Sequence, residues 1–394
     1  MWSDFATNVF HVLLRVGLHQ YQPNNGQLGQ YYSTGNVHYT PVIVPPELVR
    51  KLPPTLQPRN YDTETFYTHV RGSALRQGSS GLPLDSLIPF GLDKGDAILA
   101  KADDAFAPIT LTNGDPFIFS NATHSSLFIN TNGGISFTKG IASFIPSCGP
   151  APAPMITPYW ADVDTRLGGN ITYRQATDSA TLGKIDAFLQ KGFPGQTTGL
   201  KWAFIMTMAD LPFCNAKAHT DSCPGLALRN TFQTVLARGK EESYVIFLYN
   251  KIQWTAAPTY TYNDGGDPCT GLGGKHPPVA GFDAADGFTR FQLPNSCSDK
   301  LLNIASTTNI NLPGAWVFRV TSGPVTPCDV RCLHNGDLLA DPYDCTSYYQ
   351  CSNGTPIKHV CPFYKPGERL VFNPFKQVCV WKDKYACEPI CTKN

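Results

Sequence analysis

Cysteine spacing constrains this chain more than any other feature. Eight of its 13 cysteines lie from Cys328 onward, and six of them run C-x12-C-x5-C-x9-C-x17-C-x7-C from Cys332 to Cys387. A segment this short buries too little apolar surface to hold itself together, so cross-links stand in for core. Each bridge contributes about 2–4 kcal/mol, chiefly by restricting the unfolded chain. Such a framework needs an oxidising compartment, so the protein is expected to be secreted. Spacing alone leaves fifteen pairings of six cysteines open. Cys328 and Cys391 lie just outside the frame. They are expected to pair and close the base of the module; the alternative is that one of them bonds upstream or stays free.

The residues between these cysteines narrow the module further. Asp341-Pro342-Tyr343-x-Cys345, Tyr348-Tyr349-x-Cys351-x-Asn353-Gly354, Phe372-Asn373-Pro374 ahead of the fifth cysteine, and Trp381 two residues after it stand at characteristic places. In these respects the segment resembles a peritrophin-A, or type 2 chitin-binding, domain. The resemblance implies the pairing Cys332–Cys351, Cys345–Cys387 and Cys361–Cys379. It also implies chitin, or a related N-acetylglucosamine polymer, as ligand.

A sugar ring offers a face of C–H groups, and aromatic side chains supply flat apolar platforms with a polar edge. Tyr349, Trp381, Tyr343, Tyr348 and Phe375 are the candidate carbohydrate platforms, with Asn353 and Asn373 as polar partners. The competing reading is packing, because small stapled folds also use Tyr and Trp as core. Alternation along a strand sends Tyr348 and Tyr349 to opposite faces, so only one of them can meet a ligand. Asn353-Gly354-Thr355 is an N-x-T glycosylation sequon inside the module, and a glycan there would be bulky.

The remaining chain divides into an irregular leader over 1–86, a β-rich domain over 87–320 and a linker over 321–327; the stapled module takes 328–394. The leader is rich in Pro, Gln and Asn, a composition that blocks helices and central strands. Val9 to Leu18 is apolar but interrupted by His11 and Arg15. It lacks the marks of a signal peptide, and the expectation is that the true N-terminus is missing. Between 87 and 320, runs such as FIFSN, NITYR, KWAFIMTM and GAWVFRV alternate with Gly, Asn and Pro turns. They read as an all-β sandwich or barrel. SLFINTNGGISF reads as a hairpin with an Asn-Gly type I′ turn, and NTFQTVLARGKEESYVIFLY as strand, turn, strand. The fold class is therefore mostly β.

IPFG near Ile88, LFINTNGGISF, PYWADVDTRLGGNITYR, NTFQTVLARG, SYVIFLYNKIQW, VAGFDAADG and NLPGAWVFRV follow one another in order. Together they resemble a nidogen-type extracellular domain. The resemblance implies a β-sandwich-like, non-catalytic module of cell–matrix adhesion and matrix assembly, whose partner is an extracellular matrix or cell-surface protein.

Composition excludes other classes. Charged residues make up 15% and the formal net charge is +1, so no basic surface invites nucleic acid. No run of eighteen apolar residues exists to span a membrane. Motifs of the G-x-S-x-G, H-E-x-x-H and P-loop types are absent. Asp162 and Asp164, at i and i+2, are the weak metal candidate, for Ca²⁺. Against it, either carboxylate pairs with Arg166 or shapes the turn that follows, and calcium wants about 6–8 oxygens. Asp283 and Asp286 in FDAADGF lack the glutamic acid that a chitinase strand needs. No enzyme activity and no cofactor are expected.

Upstream, Cys214 and Cys223 are expected to pair across an eight-residue gap. Cys269 with Cys297 is a plausible second bridge, leaving Cys148 odd. Asn121, Asn170 and Asn353 are the glycosylation candidates. Taken together, the expected protein is a secreted matrix linker that grips chitin through its C-terminal module and a protein or cell surface through its large domain. The alternative is a protein–protein adhesion module whose stapled domain no longer binds sugar.

Overall fold

The computed structural model describes residues 81–214, 216, 227–256, 266–267 and 269–391. Up to residue 80 the expected leader lies outside the described residues. Residues 81–86 belong to the fold: Gly81 and Leu82 donate their amides to the carbonyls of Asn250 and Tyr249 at 2.8 and 2.9 Å.

Among the described residues fourteen strands, numbered in chain order, precede the stapled module. One six-stranded sheet has the order β1 (Ala97–Ile98), β8 (Asn170–Ala176), β9 (Trp202–Leu211), β10 (Asn230–Arg238), β11 (Ser243–Lys251) and β14 (Ala315–Arg319). The second has the order β13 (Arg290–Gln292), β12 (Val279–Asp283), β7 (Met155–Trp160), β6 (Gly134–Ser136), β5 (Ser126–Asn130) and β2 (Phe106–Thr110). Each pairing within both sheets is antiparallel. β3 (Phe117–Phe119) and β4 (Ala122–His124) form a separate hairpin.

The inner faces of the two sheets share one apolar cluster containing Ile129, Ile156, Tyr159, Phe204, Phe247, Phe282 and Phe318. This is a sandwich core, with side chains of both sheets interdigitating. The first sheet is also covered on its outer face. Helix α1 (Ser179–Gly192) lays Ile185 and Leu189 against Ile205, Val235, Ile246 and Val317. Burial on both faces is why β10 reads as an unbroken run of buried residues rather than an alternation.

The helix has a legible start: the Asp178 side chain accepts from the Thr181 amide at 2.8 Å, an N-cap. Leu182, Ile185, Phe188 and Leu189 then follow the i, i+3, i+4 pattern of one helical face.

The NTNGG hairpin differs from the expected type I′ turn. Thr131, Asn132 and Gly133 form a three-residue loop between β5 and β6, and only Gly133, at φ 95°, has positive φ. Asn132 stays in ordinary φ space because its buried side chain is engaged elsewhere. Its Nδ2 donates to Asp104 at 2.8 Å and its Oδ1 accepts from the Val163 amide at 2.9 Å. A Cβ on Gly133 would stand 1.9 Å from the Tyr159 carbonyl oxygen.

The segment 321–327 is not a free tether. Val325 is buried and exchanges hydrogen bonds with Arg319 at 2.7 and 3.1 Å. The Thr321 hydroxyl accepts from the Ser243 amide at 2.8 Å. The stapled module that follows is docked as well. His334 Nε2 meets Glu241 Oε2 at 2.6 Å, and Asn311 donates to the Pro389 carbonyl at 2.8 Å. The Arg319 guanidinium lies 5.7 Å from the Phe193 ring centre. Gly195, at φ 77°, comes so close to Pro374 that a Cβ would stand 2.1 Å from its carbonyl oxygen.

Candidate functional site

The module is built from three short antiparallel strands, β15 (Leu338–Ala340), β16 (Ser347–Ser352) and β17 (Thr355–Val360), followed by two small hairpins. The hairpins are β18 (Phe363–Lys365) with β19 (Glu368–Arg369), and β20 (Val371–Asn373) with β21 (Val378–Val380). Four disulfides hold it: Cys332–Cys351, Cys345–Cys387, Cys361–Cys379 and, at the base, Cys328–Cys391. Their sulfurs and the buried Val371 and Phe372 take the place of a larger core, which frees other aromatics for the surface.

Strand β16 separates its two tyrosines. Tyr348 stacks on the buried Phe372 at 4.7 Å and on His359 at 5.3 Å, so it packs the interior. Tyr349 turns to the other face, opposite Leu339 and Lys358. The Lys358 ammonium lies 5.8 Å from the Tyr349 ring centre and 2.5 Å from Asp341 Oδ2. Tyr343, whose amide donates to Asp341 Oδ1 at 2.9 Å, belongs to the same patch. The Tyr349 hydroxyl is held above its ordinary pKa by partial burial first and by the Asp341 carboxylate second. The patch therefore combines two half-buried phenol rings, a carboxylate and an ammonium.

Trp381 lies in a second aromatic group. It is 51% exposed, although Tyr364 packs edge-on against it at 4.8 Å. Tyr364 is held by Glu368, and Phe363 is 57% exposed with the Arg369 guanidinium 3.7 Å from its ring centre. Sequence reasoning missed Phe363 and Tyr364. Their signal was an aromatic pair immediately before the Lys365-Pro366-Gly367 turn.

Two candidate contacts take different places. Asn373 is buried, and its Oδ1 accepts the amides of Phe375 and Lys376, both at 3.0 Å. It shapes its own turn rather than facing a ligand. Phe375 packs edge-on to Tyr385 at 6.2 Å, and both line a cavity of about 350 Å³ between module and sandwich.

The sequons all reach the surface. Asn353, at φ 49°, and Gly354, at φ 78°, form the two-residue turn between β16 and β17, and Asn353 is exposed. Four residues of extended strand put that turn about 13 Å from Tyr349. Asn121 occupies the β3–β4 turn and Asn170 begins β8; both are exposed.

Cysteine pairing upstream differs from expectation. Cys297 bonds Cys148, not Cys269, and Cys214 is a free thiol, so it does not pair with Cys223; Cys223 lies outside the described residues. Cys269 is disulfide-bonded. The cause of the Cys148–Cys297 bridge is tertiary: β7 pairs β12 and β12 pairs β13, which brings together loops 149 residues apart.

The acidic residues of the sandwich have other partners. Asp164 is occupied by Arg166, whose Nε and Nη2 both reach it at 2.8 Å. Asp164 is thus not available as the second calcium ligand. Asp162 is enclosed, and its carboxyl is pushed up to about 8, first by burial and then by Asp104 and Asp103. The Cys214 thiol beside it is pushed up to about 12, first by burial and then by the Asp162 and Asp103 carboxyls. Asp283 accepts the amides of Ala151 and Ala285, and Asp286 those of Phe288 and Thr289. These four bonds shape loops.

Comparison with known proteins matches residues 125–322 to the nidogen-like domain family and 328–387 to the chitin binding peritrophin-A domain. Alpha-tectorin of Gallus gallus is 30% identical over 273 residues, 68% of this chain and 12% of the relative. Alpha-tectorin of Mus musculus is 31% identical over 277 residues, again 68% and 12%. Nidogen-2 of Mus musculus is 31% identical over 254 residues, 60% of this chain and 17% of that protein. The chain thus spans about an eighth of the length of the alpha-tectorins it matches. No solved structure matches it.

Proposed function

Because the chain belongs to the nidogen-like domain family and carries a peritrophin-A chitin-binding domain behind it, we propose that it is a non-catalytic extracellular matrix protein that links chitin to a protein or cell surface. The stapled module takes the polymer, and the nidogen-like sandwich takes the protein partner. The setting is the secreted matrix, in keeping with a disulfide-held fold and with relatives among nidogens and tectorins. No helix of the described residues is long and apolar enough to cross a membrane.

One observation carries this most directly: Trp381 and Phe363 stand half exposed in a module whose core is supplied by disulfides. Large apolar rings left in water favour a ligand, and their flat faces suit the C–H face of a sugar. Tyr349 with Lys358 and Asp341 offers hydrogen-bonding groups for an acetamido substituent. The test is sedimentation of the oxidised full-length chain with chitin beads, against cellulose beads. Retention on chitin alone, lost on reduction and weakened in Trp381→Ala, supports the linker. A correctly bridged protein that is not retained after Asn353→Gln, which removes the sequon, would instead favour protein–protein adhesion.

A further inference from the structure

One corner of the sandwich concentrates negative charge without matching positive charge. Asp103, Asp104 and Asp164 all act electrically on Asp162. Arg166 enters this group and bonds Asp103 Oδ2 at 2.6 Å and Asp164 Oδ2 at 2.8 Å. Asn132 donates to Asp104 at 2.8 Å. The Cys214 thiol interacts with the Asp162 carboxyl as a hydrogen-bond donor, yet two oxygens are left over: Oδ1 of Asp103 and Oδ1 of Asp162 are enclosed and lack a partner. Asp162 is only 4% exposed. Leaving a buried carboxyl oxygen without a donor is unfavourable.

The free thiol lies at the same place. One ligand atom from each of Asp103, Asp162 and Cys214 falls within 4.8 Å of the other two. The three come from segments already clamped together. Asp103 bridges Asp164, Val163 bridges Phe213, and the Cys214 amide donates to the Asp162 carbonyl at 2.9 Å. The donors are thus positioned by backbone pairing rather than by one flexible loop.

We propose that Asp103, Asp162 and Cys214 form a binding site for a divalent cation of the zinc class. Two carboxylates and a thiolate match the donors zinc takes, in four-coordinate geometry with the last position left to water. Tetrahedral donors at zinc distances stand about 3.3–3.7 Å apart, which a small side-chain rotation reaches from the spacing present. Calcium is disfavoured, because it collects about 6–8 oxygens and a thiolate is not among its ligands. Asp103 and Cys214 are only partly buried, which gives the ion and its water a way in. On binding, the thiol proton leaves to solvent, as does the Asp162 proton where present, and no electron is transferred. The ion would tie the end of β9 to the end of β7.

The experiment uses the full-length oxidised chain, stripped with a chelator and titrated with Co²⁺. One equivalent should produce a near-ultraviolet thiolate-to-cobalt charge-transfer band. Zn²⁺ should displace it, a hundredfold excess of Ca²⁺ should not, and Cys214→Ser should abolish it. Asp162→Asn should weaken cobalt binding at least tenfold. A readout without variants is alkylation of Cys214 in the native protein, which Zn²⁺ should slow at least tenfold. Absence of the band, its persistence in Cys214→Ser, or unchanged alkylation with Zn²⁺ would overturn the site.

Discussion

Two adjacent tyrosines show how much a single residue's orientation decides. Tyr348 is stacked into the module and Tyr349 faces away. Tyr349→Ala and Trp381→Ala are therefore expected to lower retention on chitin at least several-fold with little change in unfolding midpoint. Tyr348→Ala should instead destabilise the module by about 2–4 kcal/mol, as loss of a packed aromatic does, measured by urea unfolding of the oxidised chain. A Tyr348→Ala protein that stays stable but loses chitin would reverse the assignment of the two faces. The division was legible beforehand, because the period of a strand is two. Asn373 was not: its motif looks like an exposed turn, yet the side chain folds back onto the amides of Phe375 and Lys376. Cys214 and Cys223 look like partners on spacing alone, but nearness in sequence does not bring two sulfurs into bonding geometry.

At the scale of elements, runs of β-branched and aromatic residues between turn residues marked the long strands β8 to β11 well. They failed at the loop after β5, where the Asn132 side chain has buried hydrogen bonds to make and cannot supply positive φ. Helix α1 went unread because a single amphipathic helix is easily lost among strands, although Asp178 and the Ile185/Leu189 pair mark it. Its contribution can be measured. Leu189 is fully buried against the outer face of the first sheet, so Leu189→Ala is expected to cost about 2–5 kcal/mol by loss of contacts and formation of a cavity. Chemical unfolding followed by tryptophan fluorescence reads this, since Trp202 and Trp254 are buried in the sandwich core. A cost below about 1 kcal/mol would mean that the helix is not docked as described. The disulfide pattern of the C-terminal module was readable only through its family resemblance, because spacing alone leaves every pairing open.

The whole molecule joins its two described domains through contacts that titrate. His334 is held above its ordinary pKa, first by its hydrogen bond to Glu241 and then by the Glu241 charge, with Asp337 adding to both. A raised histidine pKa means that this link contributes fully below about pH 6.5, the value of a free imidazole. The contribution is lost as pH rises through the folded value. Docking should accordingly loosen on going from about pH 6 to pH 8, seen as faster proteolysis or hydrogen exchange across residues 321–334, and His334→Ala should flatten that dependence. A pH dependence unchanged in His334→Ala would assign the effect to other groups at the junction. None of this was legible from sequence, because Glu241 and His334 are 93 residues apart and meet only when the module docks. The bridge at the base of that module has a mechanical meaning. Cys328 and Cys391, with Cα atoms 5.8 Å apart, make the two ends of the module one covalent point. A load entering through the ligand-facing surface at Tyr349 can pass from Cys351 to Cys332 through a sulfur–sulfur bond, close to where the module joins the sandwich. The covalent frame therefore limits how far the backbone around the grip can be drawn out.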